Sequence, residues 1–118
     1  MIKTILVVDD EQGYRDLLQM ELSAQGYTVL TAPGGLEAMA ILKKENVDII
    51  ITDMKMAHMD GLDIVLAGRQ LRPGIPVILM TGYEAGERVQ KVLAQKSSAY
   101  LRKPFQLKDL ETAMHAIC

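Results

Sequence analysis

Five strand-length apolar runs, "TILVVD", "YTVLT", "VDIIITD", "PVILMT" and "AYLRK", are spaced along the chain with helix-length stretches between them. This alternation constrains the fold more than any other feature, because it reads as successive β/α units around a parallel sheet. The intervening stretches place apolar residues three and four apart: Leu18 and Leu22; Ala38, Ile41 and Leu42; Leu62, Val65 and Leu66; Val89, Val92 and Leu93. Each predicts a helix with one greasy stripe turned to the sheet. A closing helix follows Pro104, with Leu107, Leu110, Met114 and Ile117 on one side. Gly26 stands where a left-handed residue can end the first helix, and Pro73, Gly74 and Pro76 break the chain before the fourth strand. No repeat or linker interrupts the series, so one α/β domain over residues 1–118 is expected, built on a five-stranded parallel sheet.

Composition removes several classes of function. With 118 residues, 49% of them hydrophobic, there is material for one core and no second domain. A net charge of -2 with cations scattered among acids gives no basic stripe for a nucleic-acid backbone, so direct nucleic-acid binding is not expected. Cys118 is the one cysteine, which rules out an internal disulfide and fits a reducing, cytoplasmic setting. The opening "MIKTILVVDDE" is too short in its apolar part for a secretion signal or a membrane span.

Ligands of open parallel sheets bind beyond the carboxyl ends of the strands. Here those ends carry Asp9 and Asp10, Asp53, Thr81 and Lys103. Singly, each reads as a solvated strand end, a helix cap or a turn residue. Together, three carboxylates in one crevice repel one another unless a cation joins them. Magnesium suits such a site, since it takes oxygen ligands and commonly binds a phosphoryl oxygen as well. Lys103 and Thr81 are suited to phosphoryl oxygens during transfer, and Asp53, on the central strand, to the role of nucleophile.

The set "VVDDE", "IIITD", "MDG", "LMTG" and "YLRKPF" closely resembles the receiver domain of two-component response regulators over essentially the whole chain. The resemblance implies a doubly wound, flavodoxin-like sheet in the order 2-1-3-4-5 with helices on both faces, and a phosphorylation-dependent signalling switch, which catalyses its own magnesium-dependent phosphorylation and slow dephosphorylation. Asp53 would accept the phosphoryl group from a phosphohistidine of a sensor histidine kinase or phosphotransfer protein. Asp10 and Asp53 would ligate Mg2+, Asp9 would act mainly through a water, and the main-chain carbonyl of Lys55 would complete the set. Thr81 and Lys103 would grip the phosphoryl oxygens, and Thr81 with Tyr100 would form the switch. Lys55 and Tyr83 occupy positions that modulate the phosphoryl lifetime, and the Lys103–Pro104 bond is expected to be cis. Output would leave through the fourth helix, fifth strand and fifth helix, a surface also suited to homodimerisation, towards an effector the residues do not name. Two departures stand out. Ala57 replaces a usual proline four residues after the acceptor, and "SSAY" lacks the usual acid before the switch aromatic.

Rival functions meet specific obstacles. A flavin or nucleotide binder would cradle phosphate after the first strand, where "DDEQ" repels it. An aspartate-nucleophile phosphatase would place a second acid two residues after the nucleophile, where this chain has Lys55. A degenerate receiver acting only as a binding module would have lost one of the key residues, and none is lost. Met20, Met39, Met80 and Met114 are expected in the core; Met54, Met56 and Met59 at the surface; His58 and His115 facing solvent without a catalytic role.

Overall fold

The structure is a computed structural model and describes residues 2–54, 60–82, 90 and 97–118. Five parallel strands run β1 (Thr4–Val8), β2 (Thr28–Ala32), β3 (Ile49–Asp53), β4 (Val77–Thr81) and β5 (Ser98–Arg102), in the sheet order β2-β1-β3-β4-β5. Helices α1 (Gln12–Ala24), α2 (Gly35–Lys44) and α3 (Gly61–Leu71) connect them, and a C-terminal helix spans Leu107–Ile117. Residues Val89, Val92 and Leu93, which carry the expected fourth helical stripe, lie outside the described residues.

Strand position explains strand composition. β3 and β4 are buried at every residue and read as unbroken apolar runs, as strands covered on both faces must. The edge strands β2 and β5 keep partly exposed positions, and their sequences are correspondingly mixed. Alternation along the strands divides the core into two. Ile5, Val7, Ile49, Ile51, Ile78 and Met80 meet Leu18 and Leu22 of α1 and Leu110 and Met114 of the C-terminal helix. On the opposite face Leu6, Val8, Ile50, Val77 and Leu79 meet Ala38 of α2 and Leu62 and Val65 of α3. Each such side chain contributes about 1.5–3 kcal/mol by leaving water, so the two apolar faces dominate the stability of the sheet.

Gly26, at φ +98, ends α1 in the left-handed conformation expected of it, and the amide of Tyr27 returns to the carbonyl of Leu22 at 3.3 Å. Three expectations fail. Leu66 is 57% exposed, because α3 turns Gly61, Leu62, Ile64, Val65 and Gly68 inward and position 66 falls outside that arc. Met20 is 65% exposed for the same reason, since it lies on the opposite side of α1 from Leu18 and Leu22. Met54 is buried at 6%, packed in the core on the α2–α3 side, since the chain leaves β3 still running beneath α3. Met80 and Met114 are buried and His115 is exposed, as expected; Met39, expected in the core, is only half-buried, and Met56, His58 and Met59 lie outside the described residues.

Candidate functional site

Sheet order sets the site. The chain leaves β1 towards β2 on one side and returns to β3 on the other, so a crevice opens above the carboxyl ends of β1 and β3. The register pairs Val8 with Thr52, which sets Asp9 beside Asp53. Asp53 is in turn level with Met80, and Thr81 with Arg102, so Thr81 and Lys103 stand at the same edge. Strand alternation then sorts the side chains. Asp9, Asp53 and Lys103 continue the rows that face α1 and the C-terminal helix, while Thr81 continues the Val77–Leu79 row on the opposite face.

Asp9 is fully buried, and every polar group it has is engaged. Its amide donates to the carbonyl of Ala32 at 3.1 Å, and its own carbonyl accepts from Arg15 Nη1 at 2.6 Å. One carboxylate oxygen accepts the Glu11 amide at 2.9 Å and the other the Lys103 ammonium at 2.6 Å. Asp53, 7% exposed, places a carboxylate oxygen 3.4 Å from the same ammonium, and Glu11 places one at 3.7 Å. Burial alone would lower the Lys103 pKa; the hydrogen bond to Asp9 and the charges of Asp53, Asp9 and Glu11 outweigh it and hold the ammonium above its ordinary value. Lys103 is therefore a fixed cation in a nest of anions.

That one ammonium does not balance the acids around it. Ligand oxygens of Asp9, Asp10, Glu11 and Asp53 all lie within 4.8 Å of one another. Asp10 and Glu11 are exposed, so the cluster opens to solvent on one side and is buried on the other. An all-oxygen donor set with an open, wet side fits a hard divalent cation that keeps part of its hydration shell. Glu11 was not among the ligands expected from sequence; its only signal is its place in the acidic run "DDE". The expected contribution of Lys55, the neighbouring Ala57 and the lifetime position Tyr83 lie outside the described residues.

The surrounding backbone is held closely. Gly61 lies against the end of β3 so tightly that a Cβ there would come 2.5 Å from the Asp53 carbonyl oxygen, and its amide donates to the Met54 carbonyl at 2.9 Å. Asp60 caps α3 in a reciprocal capping box with Asp63, which fixes the helix start at that contact. The Lys103–Pro104 bond is cis, as expected, and the Lys103 amide donates to the Thr81 carbonyl at 2.7 Å. Thr81 is fully buried; Tyr100, paired with Leu79, is half-buried against the core on the α2–α3 side. Tyr14 of α1 lays its ring over Lys103, with the ammonium 4.3 Å from the ring centroid. Burial raises the phenol's pKa above its ordinary value, against the lowering influence of the Lys103 charge, so the ring is neutral at physiological pH. Sequence reasoning missed Tyr14 and Arg15 because neither stands at a strand end.

Known proteins similar to this chain are numerous. The chain is 33% identical over 114 residues to sporulation initiation phosphotransferase F of Bacillus subtilis, spanning 97% of this chain and 92% of that one. It is 35% identical over 100 residues to the transcriptional regulatory protein GlrR of Escherichia coli, 85% of this chain but only 22% of the length of that regulator. Among solved structures, Vibrio cholerae chemotaxis protein CheY4 superposes with a TM-score of 0.90 at 30% identity, covering 100% of both chains. Thermotoga maritima response regulator TrrA, solved in complex with Mg2+ and BeF, superposes with a TM-score of 0.85 at 32% identity, covering 99% of this chain and 100% of that one. Residues 5–115 match the response regulator receiver domain family, and with the 2-1-3-4-5 sheet and the acidic cluster at its switch point, the chain belongs to that family.

Proposed function

We propose that residues 1–118 form one receiver domain in which Asp53 takes a phosphoryl group from a phosphohistidine of a sensor histidine kinase or phosphotransfer protein and later loses it to water. The observation that carries this reading is the position of Asp53: nearly buried, at the end of the central strand, inside a carboxylate cluster and 3.4 Å from the Lys103 ammonium. In the transfer a carboxylate oxygen of Asp53 forms a bond to phosphorus as the donor's N–P bond breaks, and the electron pair returns to the donor imidazole. Lys103 stands ready to meet charge on the phosphoryl oxygens, and its neutralising role needs no reorganisation because its position is already fixed. Thr81 supplies a hydroxyl from the next strand end.

Asp10, Asp53 and the Lys55 carbonyl would hold Mg2+ directly. Asp9, whose two oxygens are already engaged by Glu11 and Lys103, would act through a water, and Glu11 is available beside them. When bound, the metal supplies positive charge to the phosphoryl oxygens and relieves repulsion among the acids. Lys55 and Tyr83 would set the lifetime of the acyl phosphate.

Output would arise where Thr81 and Tyr100 share one face of the sheet. Drawing the Thr81 hydroxyl towards a phosphoryl group favours an inward Tyr100 ring, a shift between two packings of the surface formed by the fourth helix, β5 and the C-terminal helix. That surface would then bind an effector or a second copy of the chain. The setting would be cytoplasmic, where ATP-dependent kinases act, without direct binding to nucleic acid or membrane; no described helix is long and apolar enough to cross a bilayer.

Incubation with acetyl phosphate and magnesium, read by intact mass, tests the central claim. Wild type should gain one phosphoryl group and Asp53→Asn none. Equal incorporation in both removes Asp53 as the acceptor.

A further inference from the structure

Nothing in aspartyl phosphorylation itself requires an aromatic ring on the first helix, yet Tyr14 sits at the centre of the site's cationic side. Its ring centroid is 4.3 Å from the Lys103 ammonium, the ring meets Phe105 edge-on at 5.8 Å with the ring planes at 67°, and the phenol oxygen accepts a hydrogen bond from the Phe105 backbone. Lys103 and Phe105 flank Pro104, so one side chain of α1 touches the loop after β5 on both sides of that proline. The Lys103 side chain is 12% exposed.

We propose that Tyr14 is a positioning residue for phosphoryl transfer: its ring face holds the Lys103 ammonium inside the acid pocket and directs it at Asp53. The inference rests on the reading of Asp53 as acceptor. A lysine ammonium is a strongly hydrated point charge on a flexible four-carbon stem, and left to itself it samples several rotamers and water. Asp9 at 2.6 Å anchors it from the buried side, but Glu11 at 3.7 Å is 68% exposed and offers a competing route outward. Against that pull the Tyr14 ring offers the ammonium a surface that attracts a cation without consuming a hydrogen bond. The three donors of the ammonium stay available to Asp9, Asp53 and, after transfer, a phosphoryl oxygen. Phe105, meeting the Tyr14 ring edge-on, keeps the ring face turned to Lys103.

The alternative is that Tyr14 merely fills space, since it also packs against the core on the α1 side. Leucine preserves apolar bulk without the π-face, and phenylalanine preserves the face without the hydroxyl, so the two substitutions separate the roles. In metal-free protein, NMR should find the Lys103 ε-methylene protons shifted upfield by the ring in wild type and Tyr14→Phe, and at ordinary values in Tyr14→Leu. With magnesium and saturating acetyl phosphate, Tyr14→Phe should be phosphorylated within about twofold of wild type and Tyr14→Leu about three- to tenfold more slowly, the range a partly desolvated cation–π contact supports. In a Lys103→Ala background, already much slower, adding Tyr14→Leu should change nothing further.

Unshifted ε-methylene protons in wild type overturn the proposal without reference to any variant. So does a Tyr14→Leu protein that reacts as fast as wild type, or one slowed equally with and without Lys103. Should Tyr14→Leu melt far below wild type, Tyr14→Met takes its place under the same criteria. Incorporation by Asp53→Asn equal to wild type sinks the acceptor assignment; sole modification at Asp53 together with a fast Tyr14→Leu sinks this inference alone.

Discussion

Both edges of the sheet carry aspartates facing a cation, and the two are built to opposite ends. At the amino edge, Asp48 accepts the amides of Lys3 at 3.0 Å and Thr4 at 2.9 Å with one oxygen, and its other oxygen faces Arg72 at 3.5 Å. Arg72 in turn donates to Asn46 at 2.6 Å and to the carbonyl of Val47, so the start of β1, the approach to β3 and the end of α3 are tied together. Donors there match acceptors. At the carboxyl edge, carboxylate oxygens of four residues lie within 4.8 Å of one another beside the Lys103 ammonium, a surplus of negative charge that fits a cation brought from outside. The amino edge satisfies its charges within the fold; on the proposed function, the carboxyl edge keeps its surplus so that a metal and a phosphoryl group have somewhere favourable to bind.

The sharpest way to break that comparison is to remove the satisfied acid. Asp48→Ala leaves the Lys3 and Thr4 amides without their acceptor and takes one partner from the Arg72 guanidinium, and should cost about 1–3 kcal/mol in urea denaturation, towards the lower end because the group is partly solvated. Phosphorylation from acetyl phosphate should be unchanged. The pH dependence has a defined sign. The Thr4 amide, followed by the Lys3 amide and Arg72, holds the Asp48 carboxyl below its ordinary value in the folded protein, against burial. Its stabilisation is therefore complete above the ordinary carboxylate range and is lost as pH falls through the lower folded value. Asp48→Asn should blunt that part of the acid unfolding curve. Stability equal to wild type in Asp48→Ala would make the amino edge as dispensable as a surface charge.

A second measurement asks whether the two edges also differ in what they transmit. With magnesium and beryllofluoride, a phosphoryl mimic, amide shifts should spread from Thr81 into residues 98–117 and leave Lys3, Thr4, Asp48 and Arg72 in place. Thr81→Ala should confine the shifts to the neighbourhood of Asp53. Changes that never reach β5 or the C-terminal helix in wild type would show that Thr81 and Tyr100 do not relay the signal.

What could be read in the sequence follows from how each part is encoded. Strands and their ends were legible because central parallel strands must be apolar on both faces, which makes "VDIIITD" visible as a strand and its terminal acid conspicuous. Asp9, Asp53, Thr81 and Lys103 came with them, because a parallel sheet delivers every strand end to one edge. Helix faces were harder. Apolar spacing alone set Leu66 and Met20 inward, yet methionine and leucine also occur beside a stripe, and only the packing angle of each helix decides which side of it they join. Met54 misled for the converse reason: a residue after a strand reads as loop, but Gly61 lets α3 close over it. Tyr14 was hidden because its partner lies at the far end of the chain, and no local pattern marks a ring that will face a lysine. The amino-edge network was equally silent, since Asp48 and Arg72 look like ordinary surface charges until the fold brings them together.

The smallest expected effect bears most directly on the contrast between the edges. Asp10 is the exposed aspartate of the carboxyl cluster, and among the described residues it makes no hydrogen bond of the kind that ties Asp9 to Lys103 and Glu11. Asp10→Asn keeps the shape of the side chain and removes one negative charge from a group that has too many. Repulsion among exposed charges is weak and screened, so the metal-free protein should gain only ~1–3 °C in melting temperature, and the gain should shrink as salt is raised. Magnesium affinity, read by calorimetry, should fall at the same time, because the same charge that strains the empty cluster draws the cation in. The two changes must appear together if the acids are kept in surplus for a metal. A variant that gained stability without losing magnesium affinity would place the metal elsewhere, and one that lost affinity without gaining stability would mean that Asp10 is already relaxed in the resting protein, leaving the strain at this edge to Asp9 and Asp53.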